Sequence, residues 1–93
     1  MTNTLIMKFN AKSRSIANCR WFKDGELIPY GRDRRNIILN LFGEGEFEAA
    51  LEIPNPTEQE DEGTFECEVK NGIGTGTLTA TFHINFGSKL LIK

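Results

Sequence analysis

The chain is short of the residues that most chemistry needs. It has one histidine, His83, and two cysteines, Cys19 and Cys67. Ser13, Ser15 and Ser88 fall in loops or the tail, so no Ser-His-Asp set assembles in a convincing order. Two cysteines expected inside and one histidine expected outside do not make a zinc site. The acids of 58–62 run consecutively and lack the alternation of a calcium loop. "GIGTG" has glycines but precedes a strand rather than a helix, so it is no phosphate loop. No enzyme, cofactor or metal is expected. No apolar run approaches the ~20 residues of a membrane span. The start, "MTNTLIMKF", has no basic region, long apolar region or small-residue cleavage site, so it is not read as a signal peptide; a mature fragment with its signal removed stays open as an alternative. No Asn-x-Ser/Thr acceptor has a permitted middle residue.

What is present is an ordinary globular balance, 39% hydrophobic and 26% charged, in a length that suits one domain. The domain is expected over 1–86, followed by a tail at 87–93. A net charge of −2 argues against a dedicated nucleic-acid binder. The charge is segregated. Residues 1–35 hold eight Lys/Arg and three Asp/Glu, residues 36–68 hold ten acids and no base, and residues 69–93 hold three lysines and no acid. Such blocks fit complementary neighbours on a solvated surface, or faces that orient docking partners. "GRDRR" (31–35) reads as a solvated loop or as a grip for an acidic protein or phosphate, through Arg32, Arg34 and Arg35.

Period-two alternation dominates. "TLTATFHINF" (77–86) puts Leu78, Ala80, Phe82, Ile84 and Phe86 on one face, and Thr77, Thr79, Thr81, His83 and Asn85 on the other. "TLIMKFNA" groups Leu5, Met7, Phe9 and Ala11. "NCRWFK" groups Cys19 with Trp21, "FEAALEI" groups Phe47, Ala49, Leu51 and Ile53, and "TFECEV" groups Phe65, Cys67 and Val69. Turn signals separate the runs at "KDG", "GEG", "PNP" and "NGIG". "PTEQEDEG" suits a single helical turn. Short strands with frequent turns predict an all-β sandwich.

These residues carry a resemblance. "WFKDGELI" (21–28) resembles strand C and the next turn of an immunoglobulin-like domain. "AALEIPNPTEQEDEGTFECEVKNGIG" (49–74) resembles strands E and F of the intermediate (I-set) type, with its Asp-x-Gly-x-aromatic-x-Cys corner. The resemblance implies that Trp21 is the core tryptophan and Cys67 the strand-F cysteine. Leu51, Ile53 and Phe65 join them as core determinants.

Three departures stand out. Phe9 falls where the strand-B cysteine belongs, so the usual inter-sheet disulfide cannot form, and Phe9 is expected to fill the space against Trp21 and Cys67. Cys19 would meet Cys67 only on a diagonal of one sheet, ~7–8 Å away, which is long for a disulfide. Free buried thiols are expected, and they suit a reducing compartment. Phe65 replaces the corner tyrosine and forgoes a hydrogen bond of ~1 kcal/mol. Strands A and A′ are missing, which bares two sheet edges. The bare edges invite pairing between two chains, or a fold-back of residues 90–93 through a loop at 87–89.

I-set domains without the disulfide are similar to those of titin, twitchin, obscurin and myosin-binding protein C. That similarity implies a cytoplasmic scaffolding module of the sarcomere or cytoskeleton. Its partners would be neighbouring immunoglobulin and fibronectin-like modules, filament proteins or signalling proteins, with no nucleic acid and no membrane. The alternative is an extracellular adhesion or receptor domain that has lost its disulfide.

Overall fold

The computed structural model describes residues 3–31, 33–72 and 76–87. Seven strands occur among them: β1 (Thr4–Lys12), β2 (Ile16–Lys23), β3 (Glu26–Leu27), β4 (Asn36–Leu41), β5 (Glu46–Pro54), β6 (Gly63–Asn71) and β7 (Thr77–Ile84). A single helical turn, α1 (Glu58–Asp61), precedes β6. One sheet has the order β1-β5-β4 and the other β3-β2-β6-β7. Every pairing is antiparallel. An immunoglobulin-like sandwich sets A, B, E and D in one sheet against C, F and G in the other. The observed order is that arrangement with a short extra strand beside C, and no strand precedes β1 among the described residues. The all-β immunoglobulin-like sandwich read from the sequence is therefore the fold of the chain.

Alternation puts one face of each strand inward. The central strands bury that face completely. Trp21 on β2, Leu51 and Ile53 on β5, and Phe65 and Cys67 on β6 have no exposed surface. Phe47 and Val69 are at 1%. Strands at sheet edges lack a neighbour on one side, so most of their inward residues stay half-buried: Leu5, Phe9 and Ala11 on β1, where only Met7 is buried, Ile37 and Leu39 on β4, Phe82 and Ile84 on β7. Trp21 packs on Phe82, with ring centroids 5.8 Å apart. Phe9 meets Phe47 edge-on at 5.6 Å. Its ring partner is thus a residue of its own sheet rather than Trp21.

Two glycines fix the chain path. β2 and β3 are joined by Asp24-Gly25, both at positive φ (50° and 87°), as a type I′ hairpin turn requires. Gly63 has φ 147°, and a Cβ there would lie 2.7–2.8 Å from the Asp24 carboxylate oxygens. That approach is used: the Asp24 carboxylate accepts from Thr64 N–H at 2.9 Å, and Asp24 N–H donates to Thr64 O at 2.8 Å. Asp-Gly at 24–25 and Gly63 are therefore one device, locking the β2–β3 turn onto the start of β6.

The charge blocks of the sequence become ion pairs between strands. Arg20 bonds Glu68 directly across β2 and β6, Lys12 faces Glu46 at 3.9 Å, and Lys8 reaches Glu48 at 3.7 Å. Outer-face residues of the basic strands β1 and β2 lie against the acidic strands β5 and β6. Residues 88–93, on which the expected fold-back depends, lie outside the described residues, as do Arg32 and residues 73–75.

Candidate interaction surfaces

Arg34 and Arg35 were singled out as a grip for a partner. The fold sends both toward Asp61 on α1. Asp61 is fully covered. Its Oδ1 accepts from Arg35 Nε at 3.2 Å and from Arg35 Nη2 at 3.0 Å. Its Oδ2 accepts from Thr57 N–H at 2.8 Å and from Arg34 Nη2. Thr57 also caps α1, its hydroxyl accepting from Glu60 N–H at 3.2 Å. Arg35 is held further by Asp33 at 2.9 Å and by the Glu60 carbonyl at 2.8 Å, and its guanidinium lies over the Phe65 ring at 5.8 Å. Arg34 donates to Pro54 O at 2.8 Å.

Burial alone raises the Asp61 pKa. The Thr57 N–H and the two guanidiniums outweigh it and hold the carboxyl below its ordinary value. This cluster ties the start of β4 to the turn before β6. It is a buried charge with every acceptor used, which is the condition under which such a charge is tolerated. The signal for it was present in the sequence as the Asp of the Asp-x-Gly corner, but its arginine partners are more than 25 residues away and no local pattern joins them. Of the two side chains, Arg35 is 12% exposed and Arg34 35%.

Cys19 and Cys67 are both buried and free. Cys19 pairs with Val69 and Cys67 with Trp21, so the cysteines sit on a diagonal of one sheet. The neighbouring Cys19 thiol, with burial, pushes the Cys67 thiol far above its ordinary pKa, while the Cys67 thiol lowers that of Cys19. His83 lies outward on β7, with Nδ1 3.2 Å from the Thr64 hydroxyl. Among the described residues no three His, Cys, Asp or Glu side chains converge.

Two further surfaces were not foreseen. Leu41 and Phe42 are adjacent and more than half exposed, at the tip between β4 and β5. Tyr30 is also well exposed, and its hydroxyl donates to Cys19 O at 2.6 Å. It thereby supplies a tyrosine–backbone bond on β2, although not at the corner where Phe65 has lost one. Finally, β1 and β7 are open edges of different sheets.

The architecture defines a sandwich with immunoglobulin-like strand order, in which no strand precedes β1 among the described residues. No family model matches the chain. It is 35% identical over 72 residues, 77% of its length, to pro-neuregulin-2, membrane-bound isoform, of Rattus norvegicus. The Mus musculus protein of the same name is equally similar, and the Homo sapiens protein is 33% identical over the same length. The match covers 8–9% of each relative, so the chain spans less than a tenth of the curated proteins it resembles.

Proposed function

We propose that this chain is a non-catalytic protein-recognition module on the outer side of a membrane-bound protein. The observation that carries the reading is the similarity to a membrane-bound pro-neuregulin over 77% of the chain. It favours the extracellular alternative over a module of the sarcomere or cytoskeleton, for which the comparisons offer no support. The sandwich suits the role, because its rigid sheets hold loop tips such as Leu41-Phe42 in fixed positions. Of Arg34 and Arg35, Arg34 is the one exposed enough to contribute a contact to an acidic partner.

An epitope inserted in the exposed turn at 43–45 of the full polypeptide tests the reading. Antibody binding to intact cells is expected. Staining that requires permeabilisation would refute it and would favour the second reading, an intracellular scaffold module. One observation speaks for that second reading: the buried thiols and the phenylalanine at position 9 leave the sandwich without its inter-sheet disulfide.

A further inference from the structure

β7 is the longest uncharged edge strand among the described residues. β7 pairs with β6 on one side and with no strand on the other among the described residues. Natural edge strands are protected by lysine, proline, bulges or shortness. β3 is two residues long, and β1 carries Lys8 and Lys12. β4 is also uncharged, but it has six residues against the eight of β7. β7 runs eight residues, "TLTATFHI", with no formal charge, no proline, no glycine and no break in its pairing with β6.

Its inward residues are under-covered for the same reason. Leu78 is 37% exposed although Val69, its partner on β6, is at 1%. Phe82 and Ile84 are half-buried while Phe65, opposite Phe82, is fully buried.

We propose that β7 is a self-recognition edge: it pairs antiparallel with β7 of a second copy of this chain, joining two four-stranded sheets into one. The strand's own pattern specifies the register. A two-fold axis through Thr81 sets Leu78 against Ile84 and Ala80 against Phe82 on the inner face. On the outer face it sets Thr79 against His83 and Thr81 against itself. Apolar meets apolar, and Thr–Thr pairs are among the favourable cross-strand contacts. A strand without charge meets no like charge when it faces its own copy. The same operation on β1 about its central residue would set Lys8 against Lys8. This complementarity selects a second copy as the occupant. The inference does not rest on the location of the parent protein.

The test is sedimentation of the 93-residue chain from low micromolar to near-millimolar concentration, with Leu78→Lys and Thr81→Lys variants beside it. Leu78 is partly exposed and Thr81 lies on the outer face, so both variants should keep the far-ultraviolet spectrum and melting behaviour of the parent chain. The chain is expected to form a dimer, and each lysine is expected to weaken it by roughly tenfold or more: at position 81 a like charge faces its own copy across the axis, and at position 78 a charge is set against the apolar Ile84 of the second copy. A chain that stays monomeric throughout overturns the proposal. A dimer indifferent to both lysines also overturns it, since another face would then be in use. So does a chain that dimerises only after residues 88–93 are removed, because its own tail would then be the occupant of the edge.

Discussion

Arg35→Met should destabilise the sandwich far more than an ordinary surface substitution. The Asp61 carboxylate is fully covered and accepts four hydrogen bonds, two of them from Arg35. Methionine keeps an unbranched apolar stem over Phe65 and removes both donors. Breaking a buried pair from one side costs ~3–5 kcal/mol. Arg34 remains and Arg34 is partly hydrated, so the low end applies. About 3 kcal/mol is a large share of the ~5–15 kcal/mol that holds a domain together, and it lowers the melting temperature by roughly 12–24 °C at this size. Urea denaturation followed by Trp21 fluorescence measures it.

Asp61→Asn in the Arg35→Met background should add less than Asp61→Asn alone, because the two changes remove one interaction. pH supplies a second readout. The Asp61 pKa is depressed in the folded state. Its stabilisation is therefore present above the unfolded value of about 3.9 and is lost as pH falls through the lower folded value. Asp61→Asn should flatten that acid limb. A change for Arg35→Met within ~0.5 kcal/mol, the ordinary surface range, would refute the reasoning.

Gly63→Ala should destabilise by more than ~1 kcal/mol, since it combines a strained φ with a Cβ at 2.7–2.8 Å from the Asp24 carboxylate. Asp24→Ala should relieve part of that loss in the double variant, and strictly additive losses would remove the steric explanation. Thiol reagents should label Cys19 and Cys67 only in denaturant, and reductant should leave the melting temperature unchanged; a chain two daltons lighter than its reduced form would contradict both. Trp21→Ala should cost ~3–5 kcal/mol through the cavity it opens. Trp21→Phe should cost much less, because the buried indole N–H has no acceptor among the described residues, and removing an unpaired donor returns part of ~1–3 kcal/mol. Equal losses for the two would show that the N–H is satisfied.

The sandwich was legible because five of its strands alternate. "TLIMKFNA", "NCRWFK", "FEAALEI", "TFECEV" and "TLTATFHINF" overlie β1, β2, β5, β6 and β7 to within two residues at each end. β4 was not legible. Its "NIILNL" places Ile37, Ile38 and Leu39 in succession, and a run without alternation gives no period to read. α1 was visible from Pro56 and the acids after it, which suit a helix start. The Asp61 cluster was not, since pairing across so many residues is a property of topology. Arg34 and Arg35 looked like surface charge because nothing local shows that they point to a buried acid. The loop was read as solvated or as a grip for an acidic partner, and the fold ties Arg34 and Arg35 to Asp61.

The cysteines illustrate a related limit of reading composition. A reducing compartment was inferred from two thiols without a disulfide. That inference assumes that oxidants can reach them. Cys67 has no exposed surface and Cys19 is at 4%. The neighbouring thiol and burial raise the Cys67 pKa, while the same neighbour lowers that of Cys19, so enclosure rather than protonation is what protects the pair. Thiol–disulfide exchange needs access as well as a thiolate. The two cysteines also sit on a diagonal of one sheet rather than directly opposite. Enclosure therefore accounts for part of the missing disulfide, and the free thiols favour the intracellular reading less than an exposed pair would. The extracellular reading proposed above rests on the similarity to a membrane-bound pro-neuregulin over 77% of the chain.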